Sequence, residues 1–562
     1  MTEKTAKQVA DLLQEIGQRT AFESGNLYRA KAYLRAAENL RHLVEPLEKV
    51  IQKGTLTSIP GIGEAIARRI EKLYRNGSDP ALEAQRRQLP AGLLELLSVP
   101  GLTPSTIMRL HKLIGIQSIE QLESACRQGR LAQTKGLGAA LERRLLQRLA
   151  VAQSGRGGRH AHRAAEILAR ASAELRRLRP ELQNLTVAGD LRRGCELIFD
   201  LRLVATSHVV RHASEERLGE VTLHVCPPEH YGAELLAATG SPQHLAQLAA
   251  LARNKDLTLS RDGLRKGRKL LPAPSEMAVY QTLGLAFIAP ELREGSDEIP
   301  RARCRRLPRL VSGADLHGLL HIHTDASDGA DTLEAMAAAA RERGYQYLGI
   351  SDHSQAASYA GGLSLAAIGA QLAKIDSLNR QARGFRIFKG IEADILADGS
   401  LDYTPDVLAS FDFVVASVHS RFKLDRQAQT QRILAAIANP WTTILGHITG
   451  RQLLRRPGYD VDVEATLQAC ARHGVAVEIN ANPYRLELDW RWHRKALELG
   501  CWLSINPDAH AISELDLVAW GIAIARKGGV PKQRVLNAMR LQQIQAHFRK
   551  RRRFAGTRRM RL

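Results

Sequence analysis

The chain has 562 residues, 44% of them apolar and 25% charged, and its 80 Lys+Arg outweigh 58 Asp+Glu for a formal net charge of +22. That length exceeds what one hydrophobic core organises and implies roughly three to four domains, while the absence of any run of about 18 uncharged apolar residues excludes a helical membrane span. The positive excess points to a polyanionic partner, most often nucleic acid; the plainer alternative is a generally arginine-rich surface. Six cysteines (Cys126, Cys195, Cys226, Cys304, Cys470, Cys501) lie far apart with no C-x-x-C pair. A disulfide scaffold is not expected, and the reducing cytoplasm is the expected compartment. The opening "MTEKTAKQVADLLQEIGQRT" reads as an amphipathic helix without the apolar centre of a secretory leader.

Residues 1–153 read as helical throughout and are expected to form a DNA-binding domain. "IPGIGEAIARRI" (59–70) passes through P-G-I-G into a helix, "VPGLTPSTIMRL" (99–110) repeats the layout, and "TKGLGAALERRL" (134–145) is a third copy. Gly61, Gly63, Gly101, Gly136 and Gly138 permit tight turns that expose backbone N–H groups, and the helix that follows adds its positive end. A phosphate lodges in such a turn without any base being read. One copy alone is equally an ordinary αα-hairpin; three copies in a chain of this charge favour DNA. In the second copy Thr103 replaces the second glycine, which is expected to weaken phosphate contact there. These segments resemble helix-hairpin-helix motifs. Together with "NLYRAKAYLRAAENL" (26–40) they resemble the small N-terminal domain of family X DNA polymerases. Family members with 5′-deoxyribose phosphate lyase activity place a Schiff-base lysine on the helix after the first hairpin. The matching position here is Arg69 or a near neighbour, and a guanidinium stays protonated. No lyase of that type is expected.

"SGRGGRH" (154–160) reads as a linker, and a mixed domain is expected over 160–300. A helix is predicted at about 161–178, with strand-like runs "LTVAGD", "FDLRLVAT" and "GEVTLHVC". The proline- and arginine-rich segment 263–307 reads as an inter-domain connection. "VAGDLRRGCELIFDLRLVA" (187–205) resembles the family X palm signature G-S-x-R-R-G-x-E-x-x-x-D-x-D, and "VTLHVCPPEHYGAELLAATGS" (221–241) resembles its third-aspartate strand with the P-P-E and T-G-S motifs. The resemblance implies an α/β nucleotidyltransferase-like domain with palm and thumb parts. Two-metal phosphoryl transfer needs clustered carboxylates. Here only Asp200 remains: the second position is Arg202, the third is Thr222, and the motif serine is Asp190. Only 21 residues separate Asp200 from Thr222, a contracted spacing. A degenerate polymerase domain is therefore expected, kept as scaffold or DNA surface with Arg192 and Arg193 as DNA contacts. The alternative is a polymerase rescued by other carboxylates such as Glu196 or Glu220.

From 312 to 545 short apolar strands alternate with amphipathic helices: "GLLHIH", "YLGISDH", "RIFKGIEAD", "FVVASVH", "TTILGH", "VAVEIN" and "WLSIN". Such repetition implies a parallel sheet, and seven strands in about 200 residues favour closure into a barrel. In a strand, residues i and i+2 share a side, so His321 and His323 in "HIH" can converge on one ion, as can Asp508 and His510 in "DAH". His353, Glu392, His419 and His447 stand at other strand ends, with Asp328 in the loop after the first pair. A lone H-x-H or a lone strand-end Glu is more often structural; nine ligand types on successive strand ends are not a chance placement. This imidazole–carboxylate mix suits Mn²⁺, Zn²⁺ or Fe²⁺ better than Ca²⁺. Arg451 and Arg485 are candidate phosphate clamps or equally rim ion-pair residues. Asp352 reads as supporting, and His317, His473 and His493 as ordinary. The tail 546–562, with eight basic and no acidic residues from 549 onward, is expected to be a disordered electrostatic arm.

"LHIHTDASDG", "SDHS", "YAGGL", "KGIEADILADGSLDY", "FDFVVASVHS", "LGHITGR", "EINANPYRLELDW" and "SINPDAH" closely resemble the polymerase-and-histidinol-phosphatase (PHP) domain. The domain order matches bacterial family X polymerases with a C-terminal PHP domain, so the resemblance covers nearly the whole chain. It implies a distorted seven-stranded β/α barrel around up to three divalent ions, Mn²⁺ foremost. By the same resemblance His321, His323, Glu392 and Asp508 would hold the first ion, Glu392, His419 and His447 the second, and Asp328, His353 and His510 the third. The expected activity is DNA phosphodiester hydrolysis in repair, as a 3′→5′ exonuclease or 3′-end-processing enzyme on gapped or nicked DNA. His321, His323, Glu392, Asp508, Arg451 and Arg485 would carry it, in a monomer of the nucleoid-associated cytoplasm without membrane contact. The alternatives are an active polymerase with PHP proofreading, a non-enzymatic DNA scaffold, and a small-molecule phosphatase of the histidinol-phosphate kind.

Overall fold

The computed structural model describes residues 4–23, 27–43, 45–261 and 263–559. The chain forms two compact units. The first comprises Met1–Arg192, Leu197–Phe287 and Leu454–Arg456, and the second Arg193–Glu196, Ile288–Leu453 and Pro457–Leu562. The helical region and most of the mixed region thus fall within the first unit, while Arg193–Glu196 and the chain from Ile288 fall within the second.

The first unit begins with helix Ala6–Phe22, started by a capping box between Thr5 and Gln8. Its Val9, Leu13 and Ile16 share a buried cluster with Tyr33, Leu40, Ile62 and Ile70, and a second cluster from Leu93 to Leu149 serves the later helices. In all three hairpins the apolar residue between the turn positions faces the core. Ile62 and Leu102 are buried and Leu137 packs against its cluster. That anchoring turns Gly61 (φ +79°), Gly101 (φ +69°) and Gly136 (φ +92°) outward, in the left-handed region that glycine tolerates.

The mixed region has a four-stranded sheet in the order Gln183–Val187, Leu201–Thr206, Val221–Cys226, Ser214–Leu218. Helix Ala161–Leu178 buries Ala164, Leu168, Ala171 and Leu175 at helical spacing. The segment expected as a connection is instead structured. Strands Gly263–Lys266 and Lys269–Leu271, which complete a three-stranded sheet with the preceding Leu257–Ser260, and helices Glu276–Thr282 and Glu298–Arg303 occupy it. Its prolines and arginines sit at element ends and on faces, which composition alone reads as linker.

The second unit is a barrel. Its seven parallel strands, Gly318–Ile322, Tyr347–Ile350, Arg386–Asp394, Phe413–Ser417, Ile444–Leu445, Ala476–Asn480 and Leu503–Asn506, run in sequence order. A bridge between Ile322 and Ala509, with the His323 amide donating to the Ala509 carbonyl at 2.9 Å, brings the last strand back to the first. Side-chain N-caps from Thr332, Ser364, Asp425 and Asp462 start the outer helices. The far end of the barrel is filled by Leu320, Tyr347, Phe388, Phe413 and Ile444 together with Ile544 and Phe548. Gly390 makes room there, since a Cβ on it would lie 2.3 Å from the Phe413 ring. Ile544 and Phe548 belong to helix Leu541–Arg559. The basic tail is therefore not a disordered arm over its described residues: Ile544, Phe548 and Ala555 recur at spacings of four and seven and are buried, an apolar stripe that the surrounding arginines mask.

Candidate metal centre

The predicted ligands sit at the C-terminal ends of the barrel strands, where such barrels carry their chemistry. Strand interiors alternate: Ala476, Glu478 and Asn480 face inward while Val477 and Ile479 join the core under the helices. The first strand departs from simple alternation. Its register slips between Leu319 and Ile322, and His321 takes φ +60°. The convergence of His321 and His323 comes from this bulge rather than from i, i+2 pairing. Asp508 is likewise at φ +54°. Two ligand positions thus hold a left-handed backbone that side chains disfavour, strain of the kind that collects at functional sites.

Glu392 is the hub. Its Oε1 lies 3.2 Å from His321 Nε2, 3.4 Å from His419 Nε2 and 3.0 Å from His447 Nε2, and its Oε2 lies 3.0 Å from His353 Nδ1 and 3.7 Å from His323 Nε2. Asp508 Oδ1 is 3.6 Å from His321 Nε2 and 3.3 Å from His323 Nε2. The exposed Asp328 Oδ1 stands 3.6 Å from His353 Nε2 and 3.4 Å from His510 Nε2. Three groups result: His321, His323 and Asp508; His353, Glu392 and His419; and His323, Asp328, His353 and His510. All nine predicted ligands lie in one cluster, but its partition is not the expected one. His323 and His353 each join two groups, and His447 meets Glu392 from outside all three.

The side chains fit divalent cations. His321 Nε2, His323 Nδ1 and Nε2, His353 Nδ1 and Glu392 Oε2 are buried, and among the described residues none has a partner in hydrogen-bonding geometry, a costly state for polar atoms that a bound cation relieves. Electrostatics agree. Burial lowers the His321 imidazole, but Glu478, Glu392 and Asp508 outweigh it and raise it well above its usual value. Burial works the same way against His419 and His510; Glu392 with Asp394 pushes the first up to about 10, and Asp328 with Asp508 the second up to about 9. Glu392 and Asp508 are held well below the carboxylate range despite burial, Glu392 by His419 and His321 and Asp508 by His321 and His323. Protons and cations therefore compete for one anionic pocket.

Two supporting carboxylates escaped the sequence reading. Glu478, fully buried, accepts from His321 Nδ1 at 2.5 Å and from the His447 amide at 2.6 Å. Asp394 accepts from His419 Nδ1 at 2.6 Å. Both fix which ring nitrogen faces the centre. Their signal was present as acids at alternate positions of apolar strands, in "VAVEIN" and "GIEAD". Asp352 is a supporting group: it accepts from the Thr324 amide (2.7 Å), Thr324 Oγ1 (2.8 Å), Ser327 Oγ (2.6 Å) and Gln371 (2.6 Å). His493 is buried and bonded to the Leu488 carbonyl.

The two clamp candidates separate. Arg485 reaches the centre, with Nε 3.7 Å from Asp508 Oδ2 and Nη1 3.7 Å from Glu487. Arg451 is held in a rim ion-pair network: its guanidinium is bound by Asp489 at 3.0 Å, by Glu196, and by the carbonyls of Arg485 and Leu486. At the rim, Tyr359 is 70% exposed, with its ring 6.2 Å from that of His353 and 6.3 Å from that of His419.

In the first unit, Gly63 and Gly138 begin helices Glu64–Asn76 and Ala139–Ser154 with no side-chain cap, whereas the Thr103 hydroxyl accepts from the Thr106 amide and caps its own helix. Thr103 thus occupies a donor that a glycine would leave to a phosphate. Arg69 is bound to Asp79 (2.7 Å) and the Tyr33 hydroxyl (2.9 Å). Arg192 forms a two-pronged pair with Glu276, 2.7 Å on each arm, and Arg193 pairs with Glu294 at 3.1 Å. These two expected DNA contacts are held by internal carboxylates. At the palm positions, Arg202 Nε lies 3.0 Å from Asp200 Oδ2, and Asp200 Oδ1 accepts from the Asp190 amide at 2.9 Å. Of the alternative acids, Glu196 pairs with Arg491 at 2.9 Å as well as Arg451, and Glu220 with Arg159 at 2.8 Å.

Comparison with known proteins follows the same division. A helix-hairpin-helix domain matches residues 4–79, a SAM-like helix-hairpin-helix tandem 93–150, a DNA polymerase beta thumb 234–294, and a PHP domain 320–482. A probable phosphatase of Thermoanaerobacter sp. (strain X514) is 28% identical over 228 residues, covering 39% of this chain and 88% of that protein. One of Edwardsiella ictaluri (strain 93-146) is 31% identical over 229 residues, covering 39% and 89%. The DNA polymerase/3′-5′ exonuclease PolX of Bacillus subtilis (strain 168) is 32% identical over 575 residues, covering 97% of this chain and 99% of that protein. Matched over essentially its full length, the chain belongs to the family X DNA polymerases that carry a C-terminal PHP domain.

Proposed function

We propose that this chain is a divalent-metal-dependent DNA phosphodiesterase, a 3′→5′ exonuclease or 3′-end-processing enzyme acting at the barrel centre, and that its polymerase core does not polymerise. The observation that carries the reading is a contrast. Nine ligand-type side chains, Glu392 among them, converge with orphaned buried nitrogens, while the one surviving palm aspartate is paired with Arg202. In the B. subtilis relative the name records both activities; here the palm geometry supports only one.

His321, His323, Asp328, His353, Glu392, His419, His447, Asp508 and His510 would hold up to three ions, Mn²⁺ foremost with Zn²⁺ or Fe²⁺ as alternatives. Such ions supply Lewis acidity toward phosphoryl oxygens and a nucleophile at neutral pH. The chain's own groups do the rest. Glu478 and Asp394 hold His321 and His419 in one tautomer. Arg485, a permanent cation beside Asp508, faces the charge that develops on phosphate. Tyr359 offers its exposed ring to a terminal base. The three hairpins hold the DNA backbone without reading sequence. The protein would act as a monomer in the nucleoid-associated cytoplasm, on gapped, nicked or 3′-ended DNA.

The test is hydrolysis of labelled gapped, abasic and 3′-phosphorylated DNA with Mn²⁺ by wild type, His321→Ala and Glu392→Ala, with primer extension in parallel. Loss of cleavage in both variants and no extension by wild type are expected. Equal cleavage by all three proteins, or extension abolished by Asp200→Ala, overturns the reading. Tyr359→Ala should raise KM for DNA while turnover of bis(p-nitrophenyl) phosphate, which lacks a base, stays unchanged.

A further inference from the structure

At the barrel end opposite the ligand cluster, a cavity of about 580 Å³ opens beside His317, which precedes the first strand, and Trp502, which precedes the seventh. Helix Leu541–Arg559 closes one side of it with Gln543, His547 and Lys550, residues at helical spacing on the face that adjoins the buried Ile544 and Phe548. The lining combines two chemistries. Trp502 and Met539 give it an apolar, aromatic part, with Arg534 over the Trp502 ring at 6.0 Å and His547 edge-on at 6.1 Å. Lys532, Arg540 and Lys550 give it a cationic part. Only Lys532 is offset, by Asp315 at 2.9 Å; among the described residues neither Arg540 nor Lys550 meets a carboxylate. Burial holds the His547 imidazole down to about 4 and lowers His317 as well, so both rings are neutral at physiological pH.

A bare phosphate would leave most of this volume unfilled, and a purely apolar ligand would leave two unpaired cations beside it. A volume of this size suits a ligand of a few tens of heavy atoms, and an aromatic wall beside cations suits a base joined to a phosphate. We propose that this cavity binds a mononucleotide unit, its phosphate held by Lys532, Arg540 and Lys550 and its base lying against Trp502. The site is separate from the metal centre and does not depend on the activity proposed for it. A free nucleoside monophosphate and the terminal nucleotide of a DNA strand present the same chemistry, and the experiment separates them.

Calorimetric titration of the full chain in EDTA, which silences the ligand cluster, would use deoxyadenosine 5′-monophosphate, deoxyadenosine, inorganic phosphate and a 5′-phosphorylated thymidine decamer. The monophosphate should bind saturably, and Arg540→Glu and Lys550→Glu, both at exposed positions, should each weaken it about tenfold or more. Bis(p-nitrophenyl) phosphate turnover with metal restored should be unchanged in both, which shows that the barrel remains folded. Trp502→Leu should reduce the monophosphate to the affinity of phosphate. Displacement of the monophosphate by the decamer identifies a strand end as the source, and failure to displace identifies the free nucleotide. No saturable binding of the monophosphate, binding of phosphate as tight as that of the monophosphate to wild type, or indifference to both charge reversals overturns the proposal.

Discussion

Glu478 takes hydrogen bonds from His321 Nδ1, the His447 amide and Asn506 Nδ2 (2.8 Å) while fully buried. An amide in its place keeps the volume but loses the charge and presents a donor to a donor. Glu478→Gln should therefore cost about 10–100-fold in Mn²⁺ affinity, measured by calorimetry, with the fold retained by circular dichroism. Unchanged affinity would show that His321 needs no such partner. The protons on His419 and His510 give a second expectation. Their folded values of about 10 and about 9 lie above the ordinary 6.5, so protonation stabilises the metal-free fold fully below about pH 6.5, and that contribution is lost as pH rises through 9 and 10. Cations displace those protons, so Mn²⁺ should raise the Tm more at about pH 8.5 than at about pH 6.5. A shift independent of pH would mean that the ions do not bind at these imidazoles.

Among the elements, helix Leu541–Arg559 links sequence and fold most instructively. Phe548 is 1% exposed, stacked on Phe413 with ring centres 5.4 Å apart and edge-on to Phe388 at 5.2 Å. Phe548→Ala leaves a cavity at the closed end of the barrel and should cost about 3–5 kcal/mol, read as a lowered midpoint in urea unfolding; a loss under about 1 kcal/mol would mean that the end repacks without it. The sequence shows this helix poorly because its charge run hides a narrow stripe. The barrel strands were legible for the opposite reason: short apolar runs repeat seven times, and six of them end at a predicted ligand. What alternation could not foresee was the bulge at His321, because an extra residue in one strand depends on the neighbour it pairs with. Nor could residue types alone separate Arg451 from Arg485, since the difference lies in Asp489 and Glu196, which reach the first and leave the second facing Asp508.

Across the whole molecule, a net charge of +22 coexists with many arginines spent internally, as Arg192, Arg193, Arg202 and Arg451 are. Charge count alone therefore overstates the DNA footprint, and the hairpin turns become the sharper test of where DNA is held. Gly63 sits at φ −84°, which a proline ring tolerates, and starts a helix without a side-chain cap. Gly63→Pro thus deletes one outward N–H with little strain. It should weaken duplex binding about tenfold at low salt and reduce the slope of log affinity against log salt, since fewer phosphates are engaged. Turnover of bis(p-nitrophenyl) phosphate at the barrel should be unaffected. If Gly63→Pro binds DNA as wild type does while a cluster of surface arginines proves necessary, diffuse charge rather than the hairpin turns holds the substrate.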